Sequence, residues 1–149
     1  MAQQLAVQTE MKSPADKFYG FFKSNMSNLV QLFPENFKTF ELVEGNDYST
    51  GSVIFCKYLL GSLMTIRAKI EAADDENKSI TFCALEGDIM NLYKSFKVTL
   101  QAIKEGDGVG SVKWSFEFEK ANEAAPNPDV YAALVAKVSK GLDTYLCNI

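Results

Sequence analysis

Between Ser79 and Glu119 the chain alternates apolar and polar residues with a period of two, three times in succession. In Ser79–Glu86 the apolar positions are Ile80, Phe82 and Ala84; in residues 92–100 they are Phe96, Val98 and Leu100. Residues 112–119 repeat the pattern with Val112, Trp114, Phe116 and Phe118. A strict period of two predicts strands with one greasy face and one wet face. Upstream, Met64, Ile66, Ala68, Ile70 and Ala72 interleave with Thr65, Arg67, Lys69 and Glu71, and Ile54, Cys56 and Tyr58 form a shorter set. A curved antiparallel sheet with one lined face follows, and that face needs an apolar partner.

The period changes near the end of the chain. From Asp129 onward Tyr131, Leu134, Val135, Val138, Leu142 and Tyr145 recur every three or four residues. That spacing predicts an amphipathic helix of about five turns, set apart from the preceding strand by Pro126 and Pro128. Its apolar stripe is the partner the sheet requires.

The first third of the chain supplies the remaining elements. Residues 5–11 alternate weakly and read as an opening strand. Ser13-Pro14-Ala15-Asp16 reads as a helix start, with Ser13 able to cap, Pro14 suited to the first helical position and Asp16 favourable at the positive end of the dipole. Phe18, Tyr19, Phe21 and Phe22 make that helix aromatic, and residues 26–32 predict a second short helix before Pro34. Phe37–Glu44 and residues 52–59 predict two more strands around the turn-rich segment 45–51. Hairpin chemistry appears at Leu60-Gly61, Asp74-Asp75-Glu76-Asn77-Lys78 and Glu105-Gly106-Asp107-Gly108. The order strand, two short helices, six strands, long helix defines an α+β fold in which a bent seven-stranded sheet grips a C-terminal helix.

Composition narrows the function. The 149 residues suit a single domain spanning 1–149, and a hydrophobic fraction of 47% supports a sizeable core. Net charge is −4 with both signs interspersed, so neither nucleic acid nor an anionic membrane is indicated as a partner. No run approaches the roughly 20 apolar residues of a membrane span, and the opening Met1-Ala2-Gln3-Gln4 lacks the features of a secretory signal. The three cysteines, Cys56, Cys83 and Cys147, fit reduced thiols better than a disulfide framework. A cytoplasmic location is the expectation.

The chain contains no histidine, which excludes Ser-His-Asp and Cys-His catalysis and His-containing zinc or iron sites. Neither a metal nor a cofactor is expected. Any catalysis would rest on Tyr, Lys, Asp, Glu or Cys beside an apolar pocket. Lys94 shares the parity of Phe96 and Val98, which would aim its ammonium inward as a base or amine nucleophile; the blander alternative is that it snorkels to the rim. Tyr58 could donate to a ligand oxygen or to the backbone, and Tyr131 has the same two options near a cavity mouth. Cys56 reads as a small buried hydrophobe.

A set of local motifs, spread over essentially the whole chain, carries a family resemblance. They are Ser13-Pro14-Ala15-Asp16-Lys17-Phe18-Tyr19, Leu32-Phe33-Pro34-Glu35-Asn36-Phe37, Glu41-Leu42-Val43-Glu44-Gly45 and Leu85-Glu86-Gly87-Asp88. Tyr93-Lys94-Ser95-Phe96-Lys97, Val112-Lys113-Trp114, Glu119-Lys120-Ala121-Asn122-Glu123 and Lys140-Gly141-Leu142-Asp143-Thr144-Tyr145-Leu146 complete the set. Together they resemble the plant major latex proteins, in the Bet v I type branch of the START-like helix-grip superfamily. The resemblance implies an internal cavity for a hydrophobic small molecule, a terpenoid, steroid or hormone-like compound, with links to plant defence or specialised metabolism. Periodicity cannot supply that cavity, because residues that line a hollow and residues that fill a core alternate identically.

With the resemblance, the expected ligand-facing set is Phe21, Ile54, Cys56, Tyr58, Met64, Ile66, Ala68, Ile80, Phe82, Ala84, Phe96, Val98, Trp114, Phe116, Tyr131, Leu134, Val135 and Val138. The alternative to a carrier is an enzyme, such as a cyclase or isomerase of a reactive monoterpenoid (an iridoid precursor) or an alkaloid intermediate, with Lys94 and Tyr58 as candidate catalytic groups. A receptor docking another protein through its loops is a third class, but no exposed apolar run argues for it. The segment 45–51 stands where the family's glycine-rich loop lies but keeps only its outer glycines. It is therefore read as a strand connector or a mobile lip carrying Tyr48, not as a phosphate cradle.

Overall fold

The computed structural model describes residues 3–106 and 110–148. Strand β1 (Gln3–Met11) leads into helix α1 (Ala15–Ser24), a 3-10 turn at Met26–Asn28 and the single-turn helix α2 (Leu29–Leu32). Then follow β2 (Phe37–Glu44), β3 (Val53–Leu60), β4 (Ser62–Asp74) and β5 (Ser79–Glu86), a 3-10 turn at Asp88–Asn91, β6 (Tyr93–Lys104), β7 (Gly110–Lys120) and helix α3 (Asp129–Cys147). All pairings are antiparallel, in one seven-stranded sheet of order β1-β7-β6-β5-β4-β3-β2. The expected fold is therefore the observed one. Of the hairpin link at residues 105–108, Asp107 and Gly108 lie outside the described residues.

The sheet's inner face meets α3 and α1 in one hydrophobic core. Leu134, Val138, Leu142 and Leu146 are buried on α3, whereas Tyr145, which the period placed on the stripe, is exposed and Leu146 takes the inward position. On the inner face Ile70, Ile80, Leu100, Val112 and Phe116 are almost completely buried, as the period-two reading requires.

Helix α1 starts differently from the expected cap. Pro14 is the N-cap residue, and the Ser13 side chain makes no capping bond. Instead the backbone N–H groups of Lys12 and Ser13 donate to the Asp143 carboxylate of α3, at 3.0 Å to Oδ2 and 2.7 Å to Oδ1 respectively. A carboxylate from the far end of the chain thus ties the β1–α1 corner to the last turns of α3.

Register shifts in β2, β4 and β6 reset the inward phase. In β2 the register shifts between Phe37 and Thr39, so Phe37 and Phe40 both pack against the core. The shift in β4 between Ile70 and Ala72 leaves Ala72 exposed and brings Ala73 to the core. In β6 the shift between Tyr93 and Ser95 turns Tyr93 and Phe96 inward together. An extra residue in one strand reverses the parity of everything beyond it.

Candidate functional site

Where α3 crosses the sheet, packing is incomplete and a cavity of about 160 Å3 remains. Strands β3 and β4 contribute Ile54, Cys56, Tyr58, Ile66 and Ala68 to its wall, and β5, β6 and β7 contribute Phe82, Phe96, Val98 and Trp114. Tyr131, Leu134, Val135 and Val138 of α3 close the other side. All of these belong to the set read from the sequence.

The rest of that set lies elsewhere. Phe21 is buried, but it borders a surface depression with Tyr145 and Leu146, and its neighbour Phe22 reaches the cavity, edge-on to Trp114 with ring centres 5.6 Å apart. Ile80, Ala84 and Phe116 are buried without reaching the cavity wall, and Met64 pairs with Tyr58 in the ladder, also short of the wall. The wall also holds Met26, Leu29, Phe37, Phe40 and Ile89, which sequence reasoning did not single out. Phe37 and Phe40 owe their places to the β2 bulge, and Ile89 to the 3-10 turn that follows Gly87.

Gly87 explains why that turn sits so close to the sheet. Its φ of 116° is in the region open to glycine, and a Cβ there would lie 2.4 Å from the Thr65 carbonyl oxygen. Asp88 then accepts the Thr65 N–H at 3.0 Å.

Lys94 does not point into the cavity. It is exposed, because the β6 bulge gives Tyr93 the inward position that parity assigned to Lys94. Tyr93 is fully buried, packs tilted against Phe96 and edge-on to Phe118, and donates to the Pro126 carbonyl at 2.8 Å. Burial pushes its hydroxyl pKa up to about 12.

Tyr58, Tyr131 and Trp114 on the cavity wall have protein partners for hydrogen bonding. The Tyr58 and Tyr131 hydroxyls form a hydrogen bond of 2.6 Å. Burial raises the pKa of both; the Tyr131 hydroxyl adds to the effect at Tyr58, whereas the bond from Tyr58 partly opposes it at Tyr131. Trp114 Nε1–H donates to Ser139 Oγ at 2.8 Å, and Ser139, wholly buried, donates onward to the Val135 carbonyl at 2.7 Å. Burial pushes the Cys56 thiol up to about 12. The remaining wall is apolar.

Polar ties join α3 to the link between α2 and β2 and to β3. Lys137 of α3 pairs with Glu35 at 2.8 Å and donates to Asn36 Oδ1. Asn36 in turn donates from Nδ2 to the Leu59 carbonyl at 3.1 Å and accepts the Leu59 N–H at 2.6 Å. In the segment 45–51, Tyr48 lies edge-on to Phe40 with ring centres 6.4 Å apart.

A wider depression of about 640 Å3 lies on the outer face of the sheet, among Glu71, Thr81, Lys97, Thr99, Lys113 and Glu117. Its chemistry is that of a solvated sheet surface. Lys97 is paired with Glu71 at 3.0 Å and the Thr81 and Thr99 hydroxyls bond each other at 2.9 Å.

An antiparallel sheet wrapped on a long C-terminal helix, with an apolar hollow between them, is a helix-grip fold. The chain belongs to the Pathogenesis-related protein Bet v 1 family, which it matches over residues 1–149 and whose members bind hydrophobic ligands. It is 36% identical over 97% of its length to MLP-like protein 34 of Arabidopsis thaliana, of which it spans only 46%. With MLP-like protein 43 of the same plant it shares 35% identity over 96% of its length and 92% of the relative's. The crystal structure of ginseng major latex-like protein 151 from Panax ginseng superposes with a TM-score of 0.91, at 29% identity and 97% coverage of both chains. Norcoclaurine synthase from Thalictrum flavum, solved in complex with dopamine and hydroxybenzaldehyde, shares the fold at a TM-score of 0.75, with 18% identity over 94% of this chain and 86% of the other.

Proposed function

We propose that this protein is a cytoplasmic carrier that encloses a hydrophobic plant small molecule between its sheet and α3. The observation that supports the reading is the cavity itself. Apolar surface left uncovered inside a core is unfavourable unless something fills it, and the Bet v 1 family to which the chain belongs binds hydrophobic ligands.

The enzyme alternative has less to work with. Lys94 is exposed, and Tyr58, its remaining candidate, spends its hydroxyl on Tyr131 and has its pKa raised. A proton-transfer group needs a pKa near the working pH, and the cavity wall offers a phenol pair and a thiol all shifted away from it.

Incubating the purified protein with a plant extract, and comparing bound and free metabolites by mass spectrometry against a denatured control, tests the reading. Recovery of an unchanged apolar compound on the folded protein supports a carrier. Conversion of a precursor to a cyclised or isomerised product overturns it in favour of an enzyme.

A further inference from the structure

We propose that Tyr58 and Tyr131 together form the point at which the cavity reads one oxygen of its ligand, so that the cargo is a largely hydrocarbon molecule carrying a hydrogen-bond-accepting oxygen such as a ketone or aldehyde carbonyl. The inference rests on the carrier reading and adds the ligand's polar group and its orientation.

The donor count carries it. Two phenols bring two O–H donors and two oxygens that can accept. Tyr58 and Tyr131 share a single hydrogen bond of 2.6 Å, so whichever of them donates, one O–H is left over with no further partner among the described residues. Burial raises the pKa of both hydroxyls, which keeps that hydrogen in place at neutral pH. A phenol that accepts one hydrogen bond is polarised into a better donor for the next. A purely hydrocarbon ligand seated against the pair would shut this donor away unpaired, which is unfavourable, whereas an acceptor oxygen on the ligand completes the chain.

The rest of the wall makes the pair the polar landmark. Trp114 Nε1–H is committed to Ser139, and the Ser139 hydroxyl to the Val135 carbonyl. Among the described residues that line the cavity none is charged, so a hydrogen bond and not an ion pair orients the ligand. Tyr131 stands in the first turn of α3, and Val138 lies seven residues, or about 10 Å, further along the same helix. The ligand's oxygen therefore sits at the start of α3, and its hydrocarbon body extends toward Val138 and Trp114.

Carvone and limonene test this, because they share one terpene skeleton and differ by a carbonyl. The variant is the double Tyr58→Phe/Tyr131→Phe, which removes both hydroxyls, keeps both rings and strands neither partner. By isothermal titration the double variant should bind limonene within about twofold of wild type and carvone about five- to tenfold more weakly, the usual worth of one hydrogen bond. Equal changes for the two ligands, or none for carvone, overturn the inference, and limonene binding that persists leaves the carrier reading standing. Infrared spectra of carvone on the wild-type protein give a second measurement that needs no variant. The carbonyl stretch should fall below its frequency in alkane solution, and an unshifted stretch overturns the inference. If neither compound binds the wild-type protein, the carrier reading falls and the inference falls with it.

Discussion

The hydroxyls of Tyr58 on β3 and Tyr131 on α3 meet at 2.6 Å, joining the sheet to the helix at the cavity wall. Tyr58 is 3% exposed, whereas Tyr131 is only half-buried, so the two ends of this bond have unequal alternatives. Tyr131→Phe strands the Tyr58 hydroxyl in a dry site and should cost about 1–3 kcal/mol, the usual penalty for a buried unpaired polar group. Tyr58→Phe leaves a hydroxyl that water can reach, and should cost less. The double variant should lie closer to wild type than the sum of the single losses. Urea denaturation of the four proteins gives the cycle directly, and strictly additive losses would show that the bond contributes nothing.

Lys94 and Tyr93 exchange roles relative to a simple alternating strand, and substitution should follow the bulge. Lys94→Ala should change stability by less than about 0.5 kcal/mol, as for an ordinary surface site. Tyr93→Phe should cost about 1 kcal/mol by removing the donor to the Pro126 carbonyl. Thermal melts of the two variants suffice. A Lys94 variant less stable than the Tyr93 variant would contradict the register.

Those two residues also mark what the sequence reveals and what it hides. Uniform stretches were legible: Val112, Trp114, Phe116 and Phe118 lie inward as their period requires, and the three- and four-residue spacing of α3 located its buried stripe. Parity fails wherever a strand carries an extra residue, because no side chain in Phe37–Glu44 or Tyr93–Lys104 announces a bulge whose cause is the sheet's coiling. Phe37, Phe40 and Ala72 were misread or overlooked for that one reason, and Lys94, for which parity set an inward position against one at the rim, lies exposed. Phe21 and Phe22 present a different ambiguity. Both are buried, and only the packing of α1 on the sheet decides which of two adjacent rings meets Trp114. The cavity was not legible at all, since it is the difference between two packed volumes and not a property of any residue.

Gly141 on α3 faces the ring of Phe33, the residue that ends α2. A Cβ at Gly141 would stand 2.7 Å from the ring's Cε1. Gly141→Ala should gain helix propensity of up to about 1 kcal/mol, yet lose more through overpacking, which typically costs about 1–3 kcal/mol. A net loss is expected. In the background of Phe33→Leu, where the ring is gone, the same substitution should become neutral or stabilising. Denaturation midpoints decide it, and a stabilised single Gly141→Ala variant would mean that the ring gives way freely.

Asp143 gives the fold an acid-sensitive tie. Burial acts to raise its pKa, but the hydrogen bonds from Lys12 and Ser13 and the Lys12 charge outweigh it, so the folded-state value lies below the ordinary one. A depressed carboxylate adds stability above its unfolded pKa of about 3.9, and that contribution is lost as pH falls through the lower folded value. Asp143→Asn should therefore be less stable than wild type at pH 7, with the gap closing below about pH 4. Urea midpoints measured from pH 7 down to pH 3 test the sign. A gap that stays constant over the whole range would remove Asp143 from the account.

Binding and packing can be separated by filling the hollow instead of emptying it. Ala68 is almost fully buried on β4 and contributes to the cavity wall. Ala68→Leu directs three additional carbons at space that is already vacant, so the usual overpacking strain is largely avoided and stability should stay within about 1.5 kcal/mol of wild type. Toluene binding should be lost. Phe82→Ala does the converse: it should destabilise by about 3 kcal/mol and enlarge the hollow enough to admit naphthalene. Val138→Trp, reaching in from α3, should block binding from the opposite wall. Isothermal titration with toluene and naphthalene, alongside urea denaturation of each variant, distinguishes a filled cavity from an unfolded protein. If Ala68→Leu and Val138→Trp both remain folded and still bind toluene as wild type does, the ligand site is not the space between the sheet and α3.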